Sequence, residues 1–279
     1  MESLQTLSTR DRYVNACIGL WDGWLKLVPS QRELELRKAI LSATMSFMSP
    51  PRVIFRTVID ADAKFDQQNW TCNIEAARLR NDVTADEFEE LCNAAYHESR
   101  HAEQYFRIAQ GLACGQLKNP NSEKKFSTVH TFRAAEIAQL LGMHGAIAQI
   151  ADNLRDGFKE FAALPVGRNF EYAMPSWGEQ AGEWLECLCK RSRVELTEFS
   201  ETSSKKVALL LYRKLPVEVD ALHIGDLAGG GILWEIDPKD LYTKTPRSKV
   251  PPNLPSKRHP PLAHHPKMPH PPLSRHPKN

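Results

Sequence analysis

The feature that most constrains this chain is a long amphipathic stretch with a charged residue inside its apolar stripe. Apolar residues recur at spacings of three and four, which predicts a helix with one buried face. These residues are Phe88, Leu91, Ala95, Ala102, Tyr105, Ala109 and Leu112. The one gap in the stripe is Glu98. A core-facing carboxylate is costly unless a partner or a metal ion accounts for it, so the pattern predicts a polar site inside the core.

Residues 97–101 form an H-E-x-x-H pattern around that gap. Two histidines four residues apart lie on one helical face, so His97 and His101 can both bind one metal ion. Glu98 projects beside the metal, where it can take a proton from a bound water. The pattern therefore indicates a zinc-dependent hydrolase with two histidine ligands and Glu98 as the general base.

The start of the helix is also marked in the sequence. Thr84 can cap it, Glu87 completes a capping box, and Val83 and Phe88 are placed as a hydrophobic staple. The competing interpretation is a solvated, charged helical turn with an accidental pattern. That interpretation requires Glu98 on the outer face, whereas the apolar periodicity places it inward.

A zinc site of this kind needs a third protein ligand, and the sequence offers several carboxylates. The candidates are Glu136, Glu171, Glu179, Glu183 and Glu218. We favour Glu218, because it falls in the first turn of a helix predicted to begin at Pro216, and Ala221 on the same face permits close packing. Asp220 is a candidate to orient a histidine ring. The alternative is that Glu218 and Asp220 only complement the positive end of the helix.

Residues 95–107 and 215–221 resemble two segments of a bacterial zincin-like metallopeptidase group found among polymorphic toxins and contractile-injection-system cargo. The sequence has Ser99, Tyr105 and Leu222 where the group prefers Ala, Trp and Trp. The resemblance implies a gluzincin-type site, in which His97, His101 and Glu218 bind Zn²⁺. It also implies a protein or peptide substrate and delivery through a secretion or injection apparatus.

Peptide hydrolysis also requires a donor for the developing oxyanion. Tyr212, His223 and Arg213 lie near Glu218 in the sequence and are the candidates, with Tyr212 and His223 assigned as catalytic. A tyrosine or histidine near a helix end also has an ordinary structural interpretation.

Charge and composition divide the chain. Residues 244–279 hold eight basic and no acidic residues, eleven of the 19 prolines and five of the ten histidines, which predicts a disordered Pro/His/basic tail. The net charge of +2 then leaves the body at −6, so we expect no nucleic-acid partner. The six cysteines form no C-x-x-C pair, and no signal peptide or membrane span is predicted. We therefore expect cytoplasmic synthesis and export by a specialised system.

The remaining pattern predicts an α+β protein that is mostly helical. Residues 1–50 are predicted as an N-terminal helical segment and 51–243 as a zincin-like catalytic domain. Alternation at residues 53–59 and 70–74 predicts two strands, which we expect to form a small antiparallel sheet packed on the H-E-x-x-H helix. The edge of such a sheet can pair with an extended substrate.

Two other functions are compatible with parts of the sequence. A di-iron carboxylate bundle uses the Glu-x-x-His spacing of Glu98 and His101, but it requires a second such pair, which the chain lacks. A non-catalytic interaction module would combine a structural metal site with the Pro-rich tail as a docking segment. Glu98 argues against this module, because a structural site has no use for a free carboxylate.

Overall fold

Helices dominate the residues that the computed structural model describes, which are 3–59, 61–113, 117, 134–143, 145, 177–194 and 213–236. The helices in these ranges are α1 (Leu7–Gly23), α2 (Pro29–Thr44), α3 (Ala85–Ala113), α4 (Ala134–Leu141), α5 (Trp177–Val194) and α6 (Pro216–Ile236). The strands are β1 (Arg52–Arg56), β2 (Ala63–Asp66) and β3 (Thr71–Glu75). Tyr212 and the predicted tail lie outside the described residues.

The helix α3 carries the H-E-x-x-H pattern and begins where the sequence predicted. The Thr84 N–H donates to the Glu87 carboxylate at 3.0 Å, and the Glu87 N–H donates to Thr84 Oγ1 at 3.3 Å. These reciprocal bonds confirm the capping box, which satisfies two backbone groups at the helix end. Val83 and Phe88 are both buried in the core beside this end.

The three strands form a mixed sheet in the order β1-β3-β2. β1 pairs with β3 in parallel, and β2 pairs with β3 in antiparallel orientation. The prediction of an antiparallel sheet is therefore wrong. The sequence did not indicate β2, a four-residue strand that carries Lys64 and Asp66. Because β2 reverses the chain between the two predicted strands, these two strands run in the same direction.

The helix α6 packs closely against α3, with two glycines at the points of closest approach. A Cβ atom on Gly225 would lie 3.2 Å from His97 Cβ and 3.3 Å from the Asn93 backbone oxygen, and one on Gly229 would lie 3.1 Å from Asn93 Cβ. Three consecutive glycines, residues 229–231, are a pattern typical of a helix end, but α6 continues to Ile236. Gly229 lies in close contact with α3, and this packing opposes the low helix propensity of glycine.

The N-terminal helices and the sheet share one apolar core with the first half of α3. Tyr13 and Leu20 of α1, Leu36 and Ile40 of α2 and Cys72 of β3 are buried there. A second cluster surrounds the other half of α3 with residues of α4 and α5. The described residues are therefore mostly helical with a small sheet, which confirms the α+β class. Among them, no helix combines the length and the apolar character that crossing a bilayer requires.

Candidate metal centre

Three side chains of one turn of α3 form the nucleus of the site. His97, Glu98 and His101 form a cluster that could hold a metal ion, with one ligand atom from each lying within 4.8 Å of the others. His97 Nε2 and His101 Nε2 are 3.0 Å apart. The helical spacing of four residues brings both rings to one face, as the sequence predicted.

The helix α6 brings Glu218 to the same point. Glu218 Oε2 lies 3.4 Å from His101 Nε2 and 3.7 Å from His97 Nε2, and its side chain is only 4% exposed. Tetrahedral zinc with nitrogen and oxygen ligands at 2.0–2.2 Å places those ligand atoms about 3.3 Å from one another. The three separations, 3.0, 3.4 and 3.7 Å, bracket that value, so the atoms fit one ion without a rearrangement of the backbone.

The position of Glu218 follows from its local sequence. α6 begins at Pro216, where the missing N–H of proline costs nothing because the first turn has no partner for it. The Glu218 N–H donates instead to the Leu215 carbonyl oxygen at 2.9 Å. Ala221 is fully buried one turn further on, and the glycines beyond it keep α6 close to α3. Glu218 is thus carried on a helix that lies directly against the two histidines.

Glu98 lies between the metal cluster and the sheet. Its Oε2 accepts a hydrogen bond from the Phe65 N–H of β2 at 2.6 Å, and its Oε1 is 3.8 Å from His97 Nε2. Burial raises the pKa of Glu98, against the opposing effects of His101 and the Phe65 N–H, and the Glu218 carboxylate raises it further. A carboxyl group whose pKa is moved toward neutrality is better suited to take up and return a proton.

Gln104 links His101 to α6 and was not singled out from the sequence. Gln104 Oε1 lies 2.9 Å from His101 Nδ1. Its Nε2 donates to the Val217 carbonyl oxygen at 2.9 Å and to Asp220 Oδ2 at 2.7 Å. The prediction that Asp220 orients a histidine ring directly is therefore corrected: Asp220 contacts Gln104, and Gln104 contacts the ring. The usable sequence signal was the spacing of three between His101 and Gln104.

Behind the cluster, Arg100 is completely buried between two carboxylates. Its guanidinium donates to Asp220 Oδ2 at 2.8 Å and to Glu103 Oε2 at 2.6 Å. Burial lowers the pKa of Arg100, but the two carboxylates outweigh this and raise it. Burial likewise raises the pKa of Asp220, while Arg100 and Gln104 lower it, and the lowering dominates. A buried ion pair of this kind requires all its partners, because removing one leaves an uncompensated charge.

The segment before α1 completes this network. The Leu4 N–H donates to Glu103 Oε2 at 3.1 Å, and the Tyr96 hydroxyl donates to the Leu4 carbonyl oxygen at 2.9 Å. Gln5 Nε2 donates to Asp220 Oδ1 at 3.3 Å. Since Leu4 is only 1% exposed, the N-terminal residues are part of the layer that supports the site.

The electrostatics of the metal-free cluster favour a cation. Burial lowers the pKa of His101, but Glu218, Glu98 and the hydrogen bonds to Glu218 and Gln104 outweigh it and raise the pKa to about 9. Two carboxylates therefore face a protonated ring when no metal is bound. A divalent ion can replace that proton as the positive charge of the site.

The other predicted site residues are placed differently. His223 lies on the exposed side of α6, and five residues turn the helix by about 140° relative to Glu218. Glu179 and Glu183 are exposed on α5. Glu171, Tyr212 and the side chain of Glu136 lie outside what the structure describes. Of the candidate third ligands whose side chains are described, only Glu218 is brought to His97 and His101.

Comparisons of the chain with protein-family models, with curated proteins and with solved structures found no match.

Proposed function

We propose that the protein is a zinc-dependent endopeptidase with a gluzincin-type site, in which His97, His101 and Glu218 bind the metal and Glu98 is the general base. The observation that carries this proposal is the convergence of two imidazole nitrogens and one carboxylate oxygen at separations of 3.0, 3.4 and 3.7 Å. Two nitrogens and one oxygen in tetrahedral array are a ligand set that zinc prefers.

The ligand count favours a catalytic site over a structural one. Structural zinc sites are closed by four protein ligands, whereas catalytic sites use three and leave one position open. Here the hydrogen bond from the Phe65 N–H engages one oxygen of Glu98, Oε2. Glu98 stays beside the histidines as a fourth ionisable group, which a purely structural site does not need.

Zinc in such a site acts as a Lewis acid and lowers the pKa of water toward neutrality. The residues of the chain supply the rest of the reaction. Glu98 Oε1 accepts the proton of the attacking water and delivers it to the departing amine, while the Phe65 N–H holds Oε2 in place. Gln104 and Glu218 keep the histidine rings oriented.

The position of β2 supports an extended peptide as the substrate. Among the described residues β2 is an edge strand, and its Phe65 N–H donates to Glu98 rather than to a neighbouring strand. A peptide that pairs with the other backbone groups of this edge therefore runs next to the proposed general base. Pairing through backbone groups accepts many side chains, so we expect an endopeptidase whose sequence preference comes from the surfaces around the cluster.

The proposal is tested by metal content and by cleavage in matched variants. Wild type should bind one zinc per chain, and His101→Ala should bind none. Glu98→Gln should keep its zinc but cleave about 10²- to 10⁴-fold more slowly, because only the proton transfer is lost. Glu235→Gln, exposed at the other end of α6, is the control and should match wild type. New N-termini in a digested proteome measure cleavage.

Two results would contradict the proposal. Purified wild type without stoichiometric zinc would remove the cofactor on which it depends. A Glu98→Gln variant that cleaves as fast as wild type would remove the general base.

The resemblance of residues 95–107 and 215–221 to injected peptidases supports delivery of this protein into another cell as an effector or toxin. α1 and α2 supply residues of the apolar core, so deleting them would disrupt the fold. Deletion of residues 244–279, in contrast, removes none of the described residues. We therefore expect a chain truncated after Thr243 to keep its peptidase activity and to lose secretion. Loss of catalysis in that chain would contradict the domain boundary.

A further inference from the structure

The side-chain amide of Gln104 has only one orientation that satisfies its neighbours. Its Nε2 lies 2.9 Å from the Val217 carbonyl oxygen, a group that can only accept. A second acceptor, Asp220 Oδ2, lies 2.7 Å from the same nitrogen. The amide nitrogen must therefore face α6, and the amide oxygen must face His101.

This orientation decides which nitrogen of His101 carries the hydrogen. Gln104 Oε1, 2.9 Å from His101 Nδ1, can only accept, so Nδ1 must donate. In the neutral ring the other nitrogen, Nε2, then holds the lone pair. Nε2 is the atom that lies 3.0 Å from His97 Nε2 and 3.4 Å from Glu218 Oε2. The wrong tautomer would present a hydrogen to the metal instead of a lone pair.

We infer that Gln104 is a positioning residue that fixes the tautomer and the ring orientation of His101 for metal binding, and that Asp220 and Val217 fix Gln104 in turn. The inference rests on the proposed function, because it assigns a role toward the same metal. Gln104 is 1% exposed, so water cannot replace its contact with the ring.

Arg100 extends this arrangement by one more step. Its guanidinium donates to both oxygens of Asp220, at 2.8 and 3.1 Å, so the carboxylate that holds the Gln104 amide cannot rotate. Both acceptors of Gln104 lie on α6, the helix that carries Glu218. The Gln104 amide thus links the position of His101 on α3 to the position of Glu218 on α6.

The test compares the zinc affinity of the full chain and its Gln104 variants, measured by competition with a chelator. Gln104→Leu should bind zinc about 10- to 100-fold more weakly, the usual loss when a histidine ligand loses its hydrogen-bond partner. Gln104→Glu should lose less affinity than Gln104→Leu, because a carboxyl oxygen still accepts from Nδ1, although its single hydrogen cannot serve both Val217 and Asp220. Gln110→Leu is the control: Gln110 is equally buried on α3 but pairs with Arg107.

A second readout separates positioning from a merely structural role. In zinc-loaded protein with ¹⁵N-labelled histidine, wild type and Gln104→Glu should show His101 bound through Nε2, with a slowly exchanging Nδ1–H. In Gln104→Leu that hydrogen has lost its acceptor, so it should exchange faster than in wild type. The signal is assigned by its absence in His101→Ala, and a loss of folding stability alone would not change it.

The possible failures are distinguishable. Wild type that binds no zinc overturns the proposed function and this inference with it. Wild type that binds zinc through His101 Nδ1 overturns the inference alone. So does Gln104→Leu with wild-type affinity and a protected Nδ1–H. If Gln104→Leu does not fold, Gln104→Glu decides, since zinc bound through His101 Nδ1 in that variant overturns the inference.

Discussion

Replacing Gly225 by alanine should separate the two helices that hold the metal ligands. The added Cβ would lie 3.2 Å from His97 Cβ and 3.3 Å from the Asn93 backbone oxygen, and it would overlap Asn93 Oδ1. Ordinary carbon contacts lie at about 3.5–4.0 Å, so α6 must move from α3 by a few tenths of an ångström. Rotation of Asn93 does not relieve the overlap freely, because its Nδ2 donates to Asp226 at 3.1 Å.

The size of the effect follows from two opposing contributions. Overpacking a well-packed contact costs about 1–3 kcal/mol of unfolding free energy. Alanine gains back about 1 kcal/mol relative to glycine inside a helix. The net loss of stability is therefore small, roughly 0–2 kcal/mol. The loss of zinc affinity should be more pronounced, because metal sites tolerate ligand distances only within about 0.2 Å.

Gly230→Ala is the matched control, since a Cβ atom there meets no atom within 4 Å. It should stabilise the protein by about 0.5–1 kcal/mol through helix propensity and leave zinc affinity unchanged. Urea denaturation of the metal-free proteins measures stability, and chelator competition measures affinity. Equal stabilities and equal zinc affinities of Gly225→Ala and Gly230→Ala would show that close packing of α6 on α3 does not position Glu218.

Four further predictions concern His101 and the buried N-terminal residue Leu4. Zinc affinity should rise about tenfold per pH unit toward pH 9 and then level off, because the raised pKa of His101, about 9, means that zinc displaces a proton from this ring. Calorimetry in two buffers counts that proton. A zinc affinity that does not change with pH would contradict the role of His101 as a ligand. In the metal-free protein, the stability contributed by His101 should be full below pH 6.5 and lost as pH rises through 9. Leu4→Ala should lower the unfolding free energy by about 2–5 kcal/mol. Leu7→Ala, at a position 64% exposed, should change it by less than about 0.5 kcal/mol. Equal effects of the two substitutions would show that the N-terminal segment is not part of the core. Zinc at 1,000 times its Kd should stabilise wild type by about 4 kcal/mol and His101→Ala not at all, measured by thermal unfolding with and without chelator.

Local patterns predicted the elements that depend on local chemistry. The capping box at Thr84 and Glu87 and the start of α6 at Pro216 each follow from a few adjacent residues, and the structure confirms both. The end of α4 before Gly142 has the same local origin. Gly142 has φ +66°, a left-handed conformation that favours glycine at a helix end.

Features that depend on the partner element could not be predicted. β2 alternates apolar and polar residues over only four positions, which is too short a run to predict a strand, and the predicted sheet direction was wrong as a result. The three glycines after Ala228 are typical of a helix end, and the close fit of Gly229 against α3 exists only in the folded chain. Gln104 resembled an ordinary polar helix residue, since its contacts are to a ring one turn away and to two groups on α6.

The hydrogen bond between Leu4 and Glu103 and the approach of Glu218 to His101 join segments that are far apart in the sequence. They therefore set the order in which the parts of the proposed metal site come together as the chain leaves the ribosome. Domains assemble as the chain emerges, at about 5–20 residues per second. A nascent chain that has exposed α3 but not α6 has both histidines and the proposed base but not the proposed third ligand, and Arg100 has not met Asp220. Capture of a metal at the proposed site is therefore deferred until α6 has emerged, and chains that lack α6 carry no assembled site.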